Sequence, residues 1–159
     1  MSEERHSFAS PVELITDPDQ KARREAENGV RQFNAAMEAV KRHILQSDKP
    51  FRLTQALILE LNHKALDGIH PLAGTYRNSF VVIVNSDHVP PPHTEVADHV
   101  ADMCGYINTN WNERSAIHLS AYVLWRMNWI HPFADGNGRT ARMVSYVVLN
   151  INTLFLILN

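Results

Sequence analysis

The segment 131–142 constrains the fold of this chain more than any other. It joins an amphipathic run, 117–130, to a largely apolar run, 143–158. Periodic runs of these kinds predict helices, so the segment should be a loop that ends on the first turn of the second helix. The first N–H groups of a helix lack intrahelical partners and attract anions. The segment is therefore predicted to bind a negatively charged group.

Two glycines and two arginines of this segment suit a phosphate. Gly136 and Gly138 remove side chains where a ligand could approach the backbone. Arg139 and Arg142 are three residues apart, which places both guanidinium groups on one face of a helix. Solvated surface charge is the alternative reading of the arginines. Their position beside a glycine-rich anion nest favours phosphate contacts.

Three further side chains add possible chemistry. His131 titrates near neutral pH and can accept a proton, although a histidine after a helix is more often a cap or a packing residue. Asp135 is a hard oxygen ligand of the kind that holds Mg²⁺ beside phosphates, or alternatively a helix cap. Asn137 could be selected for a left-handed backbone, and we expect it both to shape the loop and to bind phosphate. Together these residues favour transfer of a phosphate-linked group.

The segment reads His-Pro-Phe-Ala-Asp-Gly-Asn-Gly-Arg-Thr-Ala-Arg. It resembles the signature of the Fic family, H-P-F-x-[D/E]-G-N-G-R-x-x-R, at every specified position. The resemblance is firm over 131–142 and looser over about 50–150. It implies an all-α fold, mainly a helical bundle, with a short β-hairpin flap. It also implies a protein adenylyltransferase, which transfers AMP from ATP to a Tyr, Thr or Ser hydroxyl of a target protein.

The resemblance implies a role for each polar residue of the motif. His131 would take the proton of the attacking hydroxyl as the catalytic base. Asp135 would hold Mg²⁺ between the α- and β-phosphates of ATP, the substrate. The nucleotide phosphates would contact Gly136, Asn137, Gly138, Arg139 and Arg142.

Length and composition fit one domain. The chain has 159 residues, 45% of them apolar and 20% charged, and a net charge of −2. This charge gives no argument for nucleic acid or membrane as a partner. The single cysteine excludes an internal disulfide, and 1–16 lacks an apolar signal core. We expect a cytoplasmic protein, or alternatively an effector secreted into a host cytosol.

Helix signals continue along the chain. We expect a flexible leader over 1–16 and a single Fic domain over 17–159, truncated or unusually short at its apolar C-terminal end. Asp17, Pro18 and Gln20 are a helix-start pattern. That helix should run to about Gln46. Its apolar face is predicted to contain Val30, Phe33, Ala36, Met37 and Val40. Further helices are predicted over about 54–67, from 94, over 115–130 and from about 139, the last one buried.

One run in the first half of the chain favours a strand. Residues 79–84 are rich in β-branched side chains, and three consecutive prolines follow at 90–92. They predict a short strand or hairpin, which could simply cover an edge of the core. By resemblance to the Fic family it would be a flap whose edge pairs with an extended segment of the target. The flap residues would be Phe80, Val81, Val82 and Ile83.

Regulation is suggested by one weak match. Many Fic proteins are restrained by a glutamate in the pattern [S/T]-x-x-x-E-[G/N], and the nearest match here is Glu27 followed by Asn28. Arg23 stands where Ser or Thr is expected, so a solvated helix residue is the alternative reading of Glu27. Restraint by a separate, antitoxin-like protein is the other possibility.

Three other activities remain open at this point. The domain could be an inactive or regulatory phosphate-binding module, or an enzyme that removes AMP from a target. A related branch of the family transfers the γ-phosphate, but it usually lacks the glycine pattern that Gly138 completes here.

Overall fold

The computed structural model describes residues 7–8, 14–46 and 48–158, which are mainly helical. The helices are α1 Pro18–Gln46, α2 Gln55–Leu66, α3 Val96–Thr109, α4 Ala116–Ile130 and α5 Asn137–Leu158. A single 3-10 turn, His93–Glu95, leads into α3. The predicted all-α fold is confirmed, and every predicted helix is present.

Three of the helices begin at capping residues that the sequence supplies. The Asp17 carboxylate accepts the Gln20 N–H at 2.8 Å, as the start pattern of α1 predicted. The hydroxyls of Thr54 and Ser115 cap α2 and α4 in the same way. The fifth helix begins at Asn137, two residues earlier than predicted, directly after Gly136 with its φ of 74°.

The buried face of α1 differs from the predicted one. Val30 and Phe33 are 62% and 45% exposed. Ala36 and Val40 are buried as predicted, and the buried stripe continues through Asn28 and Gln32. Both amides donate to backbone carbonyls of α2 or its C-terminal end, which satisfies their donors. The prediction was wrong for Val30 and Phe33 because it ranked positions by hydrophobicity, whereas the N-terminal half of α1 is attached to α2 through polar side chains.

α5 forms the centre of the bundle and packs against α1, α2 and α4. Ala141, Val144, Val147, Val148 and Ile151 are fully buried along it. This confirms the prediction of a buried last helix. Within the part of the chain that the structure describes, no helix is long and apolar enough to cross a membrane.

A two-stranded antiparallel ladder lies beside the bundle. Its strands are β1, Ser7–Phe8, and β2, Val82–Ile83. Ser7 pairs with Ile83 and Phe8 with Val82. The predicted strand is thus present but shorter than 79–84, and the chain turns at Asn85, which has a φ of 57°. Its partner comes from residues 7–8 rather than from a neighbouring arm of a hairpin.

Candidate active site

His131 caps α4 in a backbone conformation that few residue types adopt. Its φ of 52° and ψ of 59° lie in the left-handed region, which is costly for residues other than glycine, asparagine and aspartate. Its N–H donates to the Met127 carbonyl at 2.9 Å, which closes the last turn of α4. Its Nδ1 lies 3.4 Å from the Asn128 carbonyl oxygen. These contacts hold the His131 backbone, and with it the imidazole, directly at the C-terminal end of α4.

The environment of His131 favours the neutral imidazole. The residue is 8% exposed, and burial lowers its pKa to about 4, assisted by the positive charge of Arg77. The backbone contact with Asn128 and the charge of Asp135 oppose this shift without reversing it. At neutral pH the ring is uncharged and can accept a proton.

Phe133 and Asn137 anchor the loop from the inside. Phe133 is 1% exposed, and its ring centroid lies 5.9 Å from that of Tyr76. The Asn137 Oδ1 accepts the Phe133 N–H at 2.9 Å, and its Nδ2 donates to the Phe133 carbonyl at 2.8 Å. Both polar atoms of the Asn137 side chain thus bind the loop, so its group best placed for a phosphate is the backbone N–H in the first turn of α5. The left-handed residue here is Gly136 rather than Asn137.

The two motif glycines serve different purposes. At Gly136 the φ of 74° excludes most side chains, and a Cβ would also lie 3.3 Å from the Asn62 side-chain nitrogen. At Gly138 a Cβ would lie 3.2 Å from Nη1 of Arg142. Gly138 therefore leaves room for the Arg142 guanidinium against the first turn of α5. The positive end of the helix and this guanidinium together favour an anion.

Arg139 lies between two carboxylates. Its Nη2 is 3.5 Å from Oδ2 of Asp135, and its Nη1 is 3.4 Å from Oε1 of Glu25 on α1. The Arg139 side chain is 31% exposed, and those of Glu25 and Asp135 are 37% and 42% exposed. Ion pairs this exposed are worth about 1 kcal/mol or less. The guanidinium can therefore exchange its partners for a phosphate at little cost.

Asp135 is the residue placed to hold a cation. Its Oδ1 accepts the Gly136 N–H at 2.6 Å, which fixes the carboxylate at the mouth of the loop. Among the described residues there is no cluster of three or more acidic, histidine or cysteine side chains that could enclose a metal. A single carboxylate fits Mg²⁺ that takes its other ligands from phosphates and water, which is how proteins commonly bind Mg²⁺.

Glu25 and Glu27 point away from α1 in different directions. They are two residues apart, which corresponds to roughly 200° around a helix. Glu25 lines the cleft that contains His131, together with Pro18, Lys21 and Ala22. Glu27 does not line that cleft, is 61% exposed, and has its Oε2 3.7 Å from Nη1 of Arg24. The α1 carboxylate that the structure brings to a motif arginine is thus Glu25.

Arg77 connects the flap region to the catalytic loop, a role that sequence reasoning missed. It is 2% exposed, and its Nε donates to the His131 carbonyl at 2.8 Å. Its other donors reach the carbonyls of Ser79 and Pro91 at 3.0 and 2.5 Å. The backbone N–H of Arg77 donates to the Pro132 carbonyl at 2.9 Å. One buried side chain therefore fixes both the unusual backbone of His131 and the two ends of the segment that carries β2.

Asn62 supports the same loop from α2. Its Nδ2 lies within hydrogen-bonding distance of the Asp135 carbonyl and the Thr140 hydroxyl, at 3.3 and 3.2 Å. Its Oδ1 accepts the Gly74 N–H at 2.9 Å. Neither Asn62 nor Arg77 belongs to the motif. Their roles depend on contacts with distant parts of the chain, and no local pattern signals them.

The motif side chains share one cleft of about 1170 Å³. It is lined by the N-terminal part of α1, the C-terminal part of α4, the motif and the segment that follows β2. Ile83 comes from β2, Ser86 and His88 come from the segment that follows it, and Trp125 and Trp129 come from α4. The motif contributes His131, Asp135, Gly136, Asn137, Gly138, Arg139 and Arg142. The structure therefore brings every polar motif residue singled out from the sequence to one place.

The four predicted flap residues alternate in exposure. Phe80 and Val82 are 59% and 53% exposed, whereas Val81 and Ile83 are 1% and 8% exposed. Alternation of this kind is typical of a strand with one covered face. Only Ile83 of the four lines the cleft.

Comparison with known proteins decides the family. The sequence profile of the Fic/DOC family matches residues 52–149, more than half of the chain. The chain belongs to the Fic/DOC family. The matched span includes the whole of 131–142 and the β2 strand.

Several curated relatives of this Fic domain are named protein adenylyltransferase Fic. The one from Nematostella vectensis is 31% identical over 124 residues, which are 77% of this chain and 28% of that protein. The one from Drosophila persimilis is 27% identical over the same share of this chain and 23% of its own length. The chain therefore spans about a quarter of the length of these relatives.

Solved structures show the same fold. A Fic domain containing signaling protein from Bacteroides thetaiotaomicron matches with a TM-score of 0.65 and 25% identity, over 78% of this chain and 48% of that one. Fic-1 (residues 134–508) from C. elegans matches with a TM-score of 0.66 and 23% identity, over 85% of this chain and 38% of that one. The helical bundle around the motif is therefore a Fic domain in structure as well as in sequence.

Proposed function

We propose that this Fic domain is a protein adenylyltransferase that transfers AMP from ATP to a hydroxyl side chain of a target protein. The observation that carries the proposal is the cleft itself. It combines a neutral imidazole, a helix N-terminus beside two glycines, and two guanidinium groups. The names of the curated relatives support the same activity.

In this mechanism each side chain has one task. The backbone of Gly136–Gly138 binds the α-phosphate, while Arg139 and Arg142 bind the β- and γ-phosphates, which form the leaving group. His131 accepts the proton of the incoming hydroxyl, whose oxygen attacks the α-phosphorus. Its buried ring is neutral and ready to do so. The rest of the contribution is positioning and charge stabilisation.

Asp135 would hold Mg²⁺ against the phosphates. The ion, when bound, neutralises charge on the phosphate oxygens. Binding would need Arg139 to leave the carboxylate it now lies 3.5 Å from, and the phosphates offer that arginine a new partner. We expect Asp135→Asn to abolish the Mg²⁺ dependence of ATP binding, because an amide is a poorer ligand for a hard cation. Calorimetric titrations that look the same for both proteins would contradict this assignment.

The segment Phe80–Ile83 would dock the target. An extended segment of the target adds to the edge of β2 by main-chain hydrogen bonds. Ile83 connects this edge to the cleft, so a docked segment would run past His131. The exposed side chains of Phe80 and Val82 would contact it from the outer face.

Restraint of this site would come from Glu25 rather than from Glu27. Glu25 already lies 3.4 Å from Arg139, whereas the contact of Glu27 is with Arg24. A carboxylate on that guanidinium competes with the phosphates that the arginine is meant to bind. If a separate antitoxin-like protein performs this task instead, removal of Glu25 will not raise the rate.

Mass spectrometry tests the proposed function. The domain is incubated with Mg²⁺, ATP and a cell lysate, and modified peptides are identified. We expect peptides whose Tyr, Thr or Ser carries AMP, and their absence when the domain carries His131→Asn. Phosphorylated peptides that appear with the wild-type domain and not with His131→Asn would point to transfer of the γ-phosphate. No new modification would make the domain a phosphate-binding module.

A further inference from the structure

A second pocket lies between the loop that joins α1 to α2 and the turn that joins α3 to α4. Its volume is about 370 Å³, which is in the range of pockets that bind small molecules. Its lining residues include Lys49, Phe51, Arg52, Asn108, Trp111 and Asn112. None of its lining residues lines the cleft that contains the motif, so this pocket is a separate site.

Hydrogen bonds fix both walls of this pocket. The Asn108 side chain, near the end of α3, accepts the Leu53 N–H at 2.7 Å and donates to the Leu53 carbonyl at 2.9 Å. On the other wall, Nδ2 of Asn152 on α5 donates to the Trp111 carbonyl at 3.0 Å. The loop and the turn are therefore held in place before a ligand arrives, which lowers the cost of binding.

Two aromatic rings form the apolar part of the pocket. The ring centroids of Phe51 and Trp111 lie 4.8 Å apart. The two residues are 9% and 7% exposed, so their rings are held by the core and not by solvent. Rings of this kind favour a flat aromatic group packed against them.

The indole N–H of Trp111 has no hydrogen-bond acceptor within the described part of the chain. Its nitrogen is not one of the fully buried polar atoms that lack a partner, so it reaches open space. The open space that Trp111 lines is this pocket. The N–H of a tryptophan this buried ordinarily has a partner. A ligand oxygen in the pocket would supply that acceptor.

The charged side chains that line the pocket are positive. They are Lys49 and Arg52, both exposed, and no described residue forms an ion pair with Arg52. The neighbouring acidic residues Asp48 and Glu113 are exposed and do not line the pocket. The C-terminal ends of α1 and α3 add partial negative charge nearby. The resulting positive field is moderate, which favours a single carboxylate over a polyphosphate.

We propose that this pocket binds a small aromatic carboxylate. The ligand ring packs against Phe51 and Trp111. Its carboxylate accepts the Trp111 indole N–H and pairs with the Arg52 guanidinium, while the Lys49 ammonium adds attraction from the rim. The site is independent of the proposed transfer of AMP.

An NMR titration of the isotopically labelled chain with phenylacetate measures affinity and location together. The backbone amide shifts should saturate with a Kd on the order of 1 mM or tighter, which a ligand of this size can reach. They should be centred on 49–52 and 108–112. Phenethylamine keeps the ring but carries a positive charge, and should cause no saturable shift there. Cyclohexylacetate keeps the carboxylate but lacks the aromatic ring, and should bind about threefold more weakly.

Two variants test the proposed contacts. Arg52→Gln should weaken phenylacetate binding about fivefold, the upper end for an exposed ion pair. Arg114→Gln is the matched control, because Arg114 is an exposed arginine of the α3–α4 turn that does not line the pocket. Trp111→Phe keeps an aromatic ring, loses the N–H and should also weaken binding about fivefold. Circular dichroism checks the fold of this variant, and if it does not fold, Arg52→Gln decides the result.

Several results would overturn the proposal. They are shifts that do not saturate, equal affinities for phenylacetate and phenethylamine, and equal effects of Arg52→Gln and Arg114→Gln. Shifts centred on 131–142 would show that the carboxylate binds the motif arginines instead. Each of these results would leave the proposed transfer of AMP untouched, because the titration contains no ATP and measures no transfer.

Discussion

The motif loop and the β2 edge are held by contrasting means. The loop is fixed by both polar atoms of the Asn137 side chain, by the buried ring of Phe133 and by hydrogen bonds from Arg77 to the carbonyls of Ile130, His131 and Pro132. Among the described residues β2 has two ladder pairs, and it presents Val82 to solvent. The proposed catalytic groups therefore lie in the region held by many buried contacts, and the proposed docking edge lies in the region held by few. Under the proposed function, this division would let one set of reacting groups serve more than one protein target.

The largest expected effect concerns the base. His131→Ala should reduce AMP transfer by at least about a hundredfold, the usual contribution of a positioned general base. His131→Asn is the better-matched variant, because asparagine tolerates the left-handed backbone at this position. Both variants should still bind ATP in calorimetry. Transfer rates within a few-fold of wild type would show that another group is the base.

The pH dependence of stability probes the same burial. The folded His131 has a pKa of about 4, below its ordinary value of 6.5, so the unfolded chain binds the extra proton first. The contribution of the neutral His131 ring to the free energy of unfolding is fully present above pH 6.5 and is lost as the pH falls towards 4. The loss amounts to at most about 3 kcal/mol. Urea unfolding of wild type and His131→Asn should diverge across this window, with wild type losing more. If the free energies of unfolding of the two proteins change in parallel with pH, the imidazole is not desolvated.

Arg77 tests how the loop is held. Arg77→Met keeps much of the side-chain volume but leaves several buried carbonyls without a donor, and should cost about 2 kcal/mol of stability. Arg77→Lys keeps one donor group, the ammonium, and should recover part of the lost stability. Arg52→Met, at an exposed position, should stay within about 0.5 kcal/mol of wild type. Since Arg77 positions His131, kcat should fall in Arg77→Met more than KM for ATP rises. Equal effects in the Arg77 and Arg52 variants would refute the connection.

The flap can be weakened without touching the loop. Val82→Pro removes a backbone donor from β2 and should lower modification of a target protein about tenfold, while ATP binding stays unchanged. Val82→Ala shortens the same side chain but keeps the N–H, and is the matched control. Target modification that survives the proline would remove the docking role of β2.

The smallest expected effect concerns restraint. Glu25→Gln should raise self-modification a few-fold, because the partly exposed pair with Arg139 is worth about 1 kcal/mol or less. Glu27→Gln is the matched change two residues away and should have no effect. A gain from Glu27 and none from Glu25 would reverse the assignment made from the contacts.

The motif could be predicted from the sequence because its residues act within one loop. His131, Asp135, Gly136 and Arg139 meet through short-range geometry, and the helix on either side follows from periodicity. The hydrogen bonds at the end of the loop were harder to predict from the sequence. Asn137 was expected both to shape the loop and to bind phosphate; its side chain shapes the loop through both polar atoms, and the Phe133 backbone that it binds could not be read from the sequence.

Long-range contacts were not predictable in the same way. Arg77 lies 54 positions from the His131 carbonyl it binds. The strand partner of β2 comes from residues 7–8, which composition suggested were a leader. The buried stripe of α1 includes Asn28 and Gln32, whose side-chain NH2 groups donate to carbonyls of α2 or its C-terminal end. In each case the polar groups bind a partner far away in sequence, and a local sequence pattern does not indicate which residue that partner is.

The position of a radioactive label in ATP tests the central claim most directly. The wild-type chain and its His131→Asn variant are each incubated with a cell lysate, Mg²⁺ and ATP labelled on either the α- or the γ-phosphate, and the labelled protein that only the wild type produces is measured. The proposed attack of a hydroxyl on the α-phosphorus predicts that the α-label enters protein and the γ-label leaves as pyrophosphate. Incorporation of the γ-label, or of neither label, would contradict it.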